Sequence, residues 1–440
     1  MRINRRDFLK KASASIALPY FVSSAALGKD GNIAASDRVV MGFIGVGGQG
    51  LSNMKAFLTR NDVQIVAVCD VDRKRRQQAQ QVVNDKYKNT DCVDYNDFRD
   101  VIGRGDIDAV STALPDHWHA IPAIMAARAG KDIYGEKPLA YNISEGRGIV
   151  DAVNKYGVVW QTGSWQRSVY EFRFACELVR NGRVGKIHRV EVGLPGRHSK
   201  MTEYAGHKQD ITMEELEQVC EAPEELDYDF WLGPAPAAPY SPGRCHGNYR
   251  WINDYSSAQI ADWAGHHCDI ANWGMDTDNI APVEVEGTGK FSDGKLWDGI
   301  VDYLFRCKYE QGFEMVVAGG PDHGIWDGTR WFGENGWVWV SRYGFKASDE
   351  SLLRSTIGPD EVHLYNSNDH FGNFIDCVKS RAKTITPVEA AHHAIMIGHL
   401  GLMSIKVGRK LKWDAKNEKV VSDDEANRLL SRPMRGPWHL

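Results

Sequence analysis

The chain has no Cys-x-x-Cys pair: its eight cysteines stand singly at positions 69, 92, 176, 220, 245, 268, 307 and 377. That spacing argues against a zinc ribbon or a disulfide framework and reads as scattered, mostly buried thiols, with a Cys220–Cys245 bridge left open. Nor is there a charge excess, since 53 Lys and Arg face 58 Asp and Glu for a net charge of −5. Such a balance offers nothing to nucleic acid or to an acidic membrane surface. No internal repeat and no low-complexity tract is found. The N-terminal apolar run is broken by Pro19 and is too short for a membrane span.

What is present fits a soluble globular protein. The 440 residues suffice for two domains with buried cores, and 42% are hydrophobic against 25% charged. The 14 Trp and 16 Tyr suit either core packing or a carbohydrate ligand, because aromatic faces stack on sugar rings. At the N-terminus, Asn4-Arg5-Arg6-Asp7-Phe8-Leu9-Lys10 is a twin-arginine pattern followed by small and apolar residues. Residues 1–28 are therefore read as a signal peptide that exports the folded chain to the periplasm, leaving no membrane span in the mature chain. Residues 29–37 read as a linker.

From Arg38 the sequence alternates strand and helix signals. Arg38–Ile44, Val63–Cys69, Ile107–Thr112 and Asp132–Tyr134 read as strands, and Arg73–Lys88 and His119–Ala129 as helices. This pattern predicts an α/β fold with an N-terminal Rossmann domain, a doubly wound parallel sheet, over 38–160. Over 161–440 the signals change to strands at 187–192, 283–289, 299–309, 313–318 and 336–340, with helices at 169–180, 258–273, 371–381 and 388–408. The second domain is thus expected to be α/β with a large open, mostly antiparallel sheet, carrying substrate and oligomer contacts.

The first strand runs into Gly45-Val46-Gly47-Gly48-Gln49-Gly50 and then a helix. In that context a Gly-x-Gly-x-x-Gly pattern marks a dinucleotide site: one glycine for the turn, one for approach to the pyrophosphate, one for helix packing. Asp70 ends the second strand, where a carboxylate accepts from ribose hydroxyls and repels a 2′-phosphate. That favours NAD, while the basic residues Arg73, Lys74 and Arg75 keep NADP as the alternative.

Further on, Thr112-Ala113-Leu114-Pro115-Asp116-His117-Trp118-His119 and Ala129-Gly130-Lys131-Asp132-Ile133-Tyr134-Gly135-Glu136-Lys137-Pro138 resemble the Gfo/Idh/MocA family, that of glucose–fructose oxidoreductase and inositol dehydrogenase. So do Gln161-Thr162-Gly163, Trp231 to Pro236, Asp262 to Asp269 and Gly408 to Asp414. The resemblance implies a cofactor set of Gly45, Gly47, Gly48, Gln49, Gly50, Asp70, Arg73, Leu114, Pro115, His119, Glu136 and Lys137. It also implies a catalytic set of Lys137, Asp262 and His266, and a homodimer or homotetramer. Two departures stand near the site: Ser256-Ser257-Ala258-Gln259 where the family often has a glycine-rich run, and Ala113-Leu114-Pro115 where a Thr-Pro is usual.

The residues themselves make chemical sense of that set. Removing a hydride from an alcohol carbon requires a base for the hydroxyl proton and stabilisation of the alkoxide. His266 is read as the acid/base, Asp262 (four residues earlier on the same helix face) as its orienting partner, and Lys137 as the polariser of the reacting oxygen. Substrate contacts are expected from Trp165, Gln166 and Arg167, from His246, Tyr249, Arg250 and Trp251, and from His267. The histidine pairs at 266–267 and 392–393 raise metal binding, but adjacent histidines diverge on a helix and no carboxylate pattern completes a site.

These readings converge on an NAD-dependent oxidoreductase acting on a pyranose sugar or glycoside, with its cofactor tightly held. The resemblance extends to exported members that make 3-keto sugars, so C3 is the hydroxyl in view. One alternative is a redox-cycling glycoside hydrolase like those of family 109, which often lack the lysine kept here as Lys137. Another is a sugar sensor without activity, against which the intact Lys137, Asp262 and His266 stand.

Overall fold

A computed structural model describes residues 33–195, 212–321 and 323–440. The twin-arginine segment and the start of the linker lie outside the described residues. Six strands form a wholly parallel sheet: β1 (Val39–Ile44), β2 (Val63–Cys69), β3 (Val93–Tyr95), β4 (Ala109–Thr112), β5 (Asp132–Gly135) and β6 (Trp160–Thr162), in the order β3-β2-β1-β4-β5-β6. Near-continuous burial along β1 and β4 is what a parallel sheet covered on both faces requires.

Helices α1 (Gly48–Phe57), α2 (Arg73–Tyr87), α3 (Ala120–Arg128) and α4 (Ile143–Tyr156) supply the cover. Local chemistry sets their ends. Asp72 caps α2 by accepting from the Lys74 and Arg75 amides, Asn142 caps α4 through the Glu145 amide, and Gly157 stops α4 at φ 65°. The order reverses direction between β1 and β4. A crevice opens there above the carboxyl ends of the strands, and it is where such folds bind ligands.

The second sheet has nine strands: β7 (Ile187–Leu194), β8 (Glu284–Phe291), β9 (Ile300–Lys308), β10 (Glu314–Gly319), β11 (Gly328–Gly333), β12 (Gly336–Ser341), β13 (Gly344–Ala347), β14 (Leu411–Asp414) and β15 (Lys419–Val420). Their order is β13-β12-β11-β7-β10-β9-β8-β14-β15. All neighbours are antiparallel except β7 and β10. Helices α5 (Tyr170–Arg180), α6 (Ala258–Asp262), α7 (Ala264–Met275), α8 (His370–Ser380) and α9 (Val388–Val407) accompany it.

The C-terminal helices tie the two sheets together. Phe374, Ile375 and Cys377 of α8 pack in one core with Phe57 and Tyr134, and Val388, Ala391 and Ile395 of α9 pack in another with Ile124 and Val150. All eight cysteines are free thiols, and only Cys220 is exposed. Among the described residues no helix is long and apolar enough to cross a membrane.

Arg167 is an anchor of this frame. It is buried and donates to both Asp269 oxygens at 2.8 and 2.7 Å and both Asp278 oxygens at 2.8 Å. Its guanidinium also lies 5.1 Å from the Trp273 ring centroid. Arg167→Ala leaves two carboxylates uncompensated, Asp269 fully buried. Urea unfolding is expected to show a loss of about 3–5 kcal/mol; a loss below about 1 kcal/mol would contradict the anchoring role.

Buried histidines make the fold acid-sensitive. Burial pulls His117 and His267 down to about 3, and His370 and His399 to about 4. Below about pH 6.5 the unfolded chain takes up protons that the folded chain refuses, so stability falls as pH falls through that range. Each histidine contributes at most about 1.4 kcal/mol per pH unit. The denaturant midpoint should be lower at pH 5 than at pH 7, and equal midpoints would refute this account.

Candidate active site

The crevice at the β1/β4 switch is a cavity of about 470 Å³. Its floor is the glycine motif. Gly45 adopts φ 80°, and a Cβ there would sit 2.3 Å from the Ala113 carbonyl oxygen. A Cβ at Gly50 would lie 1.9 Å from the Gly45 carbonyl oxygen, so only glycine lets α1 pack this close. Gly48 has nothing within 4 Å of such a position. Helix α1 starts at Gly48, three residues before the helix expected from Leu51, so the motif's later glycines lie inside its first turn. Its cap residue Gly47 supplies no side-chain acceptor, which leaves the first amides of the helix for a ligand anion. The cradle fits a dinucleotide pyrophosphate.

Asp70 stands at the end of β2, in the cavity wall. Its carboxylate accepts from the amides of Val46 and Asp72, each at 3.0 Å. Burial raises its pKa, against those amides and the nearby Arg75 guanidinium. Arg75 reaches the motif, with Nη1 2.3 Å from where a Gly47 Cβ would be. Arg73 is exposed on the first turn of α2 and does not line the cavity.

Lys137 enters from the end of β5. A short relay positions its backbone: Gln49 Nε2 donates to Asn53 Oδ1 at 2.8 Å, Asn53 Nδ2 to Glu136 Oε1 at 2.8 Å, and the Lys137 amide to Glu136 Oε2 at 3.2 Å. Gly163 leaves room for that carboxyl, since a Cβ there would lie 2.7 Å from it. His119 stands behind the wall. Its ring nitrogens meet the carbonyls of Pro138 at 2.5 Å and Leu114 at 2.8 Å, joining the ends of β4 and β5 without facing the cavity.

The Lys137 ammonium donates to Asp262 Oδ1 at 2.8 Å. Arg250 Nε lies 3.9 Å from the same oxygen. Burial would raise the Asp262 pKa, but Lys137 and Arg250 outweigh it and hold the carboxyl below its usual range. Asp262 therefore pairs with Lys137, and no hydrogen bond joins it to His266. The expected single helix over 258–273 breaks at Trp263, which ends α6 and caps α7.

His266 is 3% exposed, and its Nδ1 has no protein partner. Burial, with the Lys137 and Arg342 cations nearby, puts its pKa well below the ordinary value. The imidazole is thus neutral at pH 7 and able to accept a proton. Of the three only Lys137 lines the cavity, while Asp262 and His266 are buried outside its lining; a neutral base, an ammonium and a carboxylate are the groups that taking up a hydroxyl proton and stabilising the alkoxide require.

The expected substrate residues divide. His246, Tyr249 and Arg250 line the cavity. His246 Nε2 lies 3.2 Å from Asp72 Oδ2, and Arg250 stacks 4.7 Å over the Tyr249 ring. Trp165 lines a different cavity. Arg167, Trp251 and His267 are buried in packing away from the cavity. Gln166 is buried too, with its amide oriented to donate to the His266 carbonyl at 3.1 Å and accept from Arg342 Nε at 3.0 Å.

Sequence reading missed Asn53, Asp116 and the cavity-lining Phe230 and Trp231. Asp116 is buried and accepts from Tyr249 Oη at 3.0 Å and Ser256 Oγ at 2.6 Å. Among the described residues no group of three or more His, Cys, Asp or Glu could hold a metal ion.

Residues 39–164 match the family model described as an oxidoreductase family with an NAD-binding Rossmann fold, and residues 176–440 match its C-terminal alpha/beta domain. A glycosyl hydrolase family 109 protein of Shewanella baltica is 34% identical over 171 residues, 35% of this chain and 37% of that protein. An alpha-N-acetylgalactosaminidase of Shewanella oneidensis is 35% identical over the same length and shares. The match thus spans little more than a third of these relatives. The WlbA dehydrogenase of Bordetella pertussis, solved with NADH and UDP-GlcNAcA, shares the fold at TM-score 0.61 and 16% identity, over 86% of this chain and 99% of that one. The chain belongs to the Gfo/Idh/MocA oxidoreductase family, with an NAD-binding Rossmann fold followed by the family's C-terminal alpha/beta domain.

Proposed function

We propose that the protein transfers a hydride between NAD and a ring hydroxyl of a pyranose sugar or glycoside. The observation that carries this is Lys137, held at the end of β5 in the cofactor cavity and ion-paired to Asp262. NAD, when bound, supplies the hydride acceptor or donor. Gly47, Gly48 and the α1 amides would hold its pyrophosphate and Asp70 its ribose. Lys137 then donates to the reacting oxygen. His266 takes the hydroxyl proton on oxidation and returns it on reduction, and Asp262 balances the positive charge that gathers beside it.

A second reading is a redox-cycling glycoside hydrolase. It draws on the family 109 relatives and on Tyr249, whose hydroxyl is fixed by Asp116 at the cavity wall. Product analysis separates the two: with aryl glycosides, N-acetylhexosaminides first, a dehydrogenase accumulates reduced cofactor and a keto sugar, while a hydrolase releases aglycone with no net reduction. Neither product from any glycoside or free sugar would overturn both.

The Asp70 carboxylate, at the cavity wall where it can accept from ribose hydroxyls, supports NAD over NADP. Asp70→Ala, with Arg75 left beside the motif, is expected to shift the ratio of kcat/KM values toward NADP by at least about tenfold. An unchanged ratio would remove Asp70 from cofactor selection. We also propose export through residues 1–28, cofactor tightly held, and assembly as a homodimer or homotetramer. Replacing Arg5 and Arg6 by lysine should leave the protein in the cytoplasm, and periplasmic recovery would contradict that.

A further inference from the structure

Residues 225–250 of the second domain are fastened to both banks of the cofactor crevice. On one bank they meet the loop after β2. The Arg73 amide donates to the Glu225 carbonyl at 2.8 Å and the Asp227 amide to the Val71 carbonyl at 3.0 Å, an antiparallel bridge. Asn96, just past β3, donates from Nδ2 to Asp227 Oδ2 at 2.8 Å, and Lys74 pairs with Glu225. On the other bank, just past β4, Trp118 donates its indole N–H to the Trp231 carbonyl at 2.9 Å, and His117 Nε2 meets the same oxygen at 3.0 Å. The glycine motif follows β1, which lies between β2 and β4 in the sheet. The segment therefore spans the crevice at the motif.

The span also completes the cavity. Phe230, Trp231, His246 and Gly247 line it together with the glycine motif and Asp70. His246, expected at the substrate, returns to the first bank: its Nε2 lies 3.2 Å from Asp72 Oδ2, two residues past Asp70. It thus stands at the end of the cavity where Asp70 would hold the adenosine ribose.

The middle of the span is firm and its fastenings on the first bank are weaker. Asp227 Oδ1 caps the short helix Tyr228–Leu232 by accepting from the Phe230 amide at 3.2 Å. Arg435 donates to Asp229 Oδ1 at 2.6 Å and to the Gly233 carbonyl at 2.9 Å, and the Phe230 ring stacks 5.5 Å from that of Trp438. The Asn96–Asp227 bond and the Lys74–Glu225 pair, by contrast, face solvent. Such contacts open at modest cost, so local opening should begin there.

We infer that residues 225–250 are a strap over the bound NAD, latched by Asp227 to Asn96 and by His246 to Asp72, and that opening of this latch sets how fast the cofactor enters and leaves. The strap rests on NAD as the resident cofactor, deepens the proposed tight hold, and requires no sugar.

Asp227→Ala tests it, because Asp227 does not line the cavity. Holoprotein loaded with NADH is chased with excess NAD, and the change in NADH fluorescence gives the exit rate. Mixing NADH with protein freed of cofactor gives the entry rate. Both rates are expected to rise by about tenfold, the weight of a lost helix cap and hydrogen bond. The dissociation constant should stay within about threefold, since the latch opens with and without cofactor. His246→Ala, which also removes part of the cavity wall, should speed exit and weaken NAD binding. Hydrogen exchange gives a second readout: the Arg73 amide, bonded to Glu225, should exchange faster in both variants than in the wild type. An unchanged exit rate in Asp227→Ala overturns the strap. So does a faster exit with an unchanged entry rate, which would make the segment a contact wall only. Should Asp227→Ala not fold, His246→Ala decides: an unchanged exit rate or an unchanged Arg73 amide there overturns the strap. If no sugar is turned over, the proposed hydride transfer fails while these rates still decide the strap.

Discussion

Lys137→Ala is expected to lower turnover by about a thousandfold and to change the NAD dissociation constant by less than about threefold. The side chain makes its ion pair with Asp262, on α6, away from the glycine cradle that would carry the pyrophosphate. Its loss removes the donor to the reacting oxygen. It also leaves the buried Asp262 with only the more distant Arg250, so the Asp262 pKa should rise. Lys137→Arg keeps the charge but changes its shape, and should recover little activity. Steady-state kinetics with a cofactor titration checks both halves. Full activity in Lys137→Ala would remove the lysine from the mechanism, and a large loss of NAD binding would make its role structural.

His266→Ala is expected to cost about 10²–10⁴ in turnover, the usual contribution of a positioned acid/base. The pH profile carries more information. Burial, Lys137 and Arg342 hold this imidazole neutral well below its ordinary range. Oxidation needs the neutral ring, so its rate should stay level as pH falls from 7 through about 6.5 and decline only further down. Reduction needs the protonated ring and should quicken as pH falls toward that lower value. The variant should lose both dependences. An acid limb of oxidation centred at or above about pH 6.5 would show a ring more solvated than its 3% exposure indicates.

The sequence revealed the cofactor half of the molecule more fully than the rest. A glycine motif is local: its turn, its helix start and the strand before it lie within a dozen residues, and each glycine's role is visible in its neighbours. Strands β1, β2, β4 and β5 declared themselves by apolar runs bounded by turn residues. β11 did not, because Gly328, Arg330 and Gly333 interrupt its composition, although buried Thr329 and Trp331 alternate with outward Arg330 and Phe332. Alternation rather than composition would have found it.

The site was harder wherever partners lie far apart in the chain. That Asp262 pairs with Lys137 depends on the break at Trp263, which no residue in 258–273 announces. Arg167 beside Trp165 looked like a sugar contact, but its partners Asp269 and Asp278 are about a hundred residues away and take its guanidinium into the frame. Tyr249 and Asp116 are likewise joined only by the fold.

The most direct test of hydride transfer follows the hydride itself. The purified protein is incubated with NAD and pyranosides deuterated at the ring carbons, and the recovered nicotinamide is analysed by mass spectrometry. The account predicts deuterium in the nicotinamide with the wild type, and with Lys137→Ala only at a rate lower by about a thousandfold. Cofactor bound by the protein but free of deuterium after exposure to every sugar would contradict it.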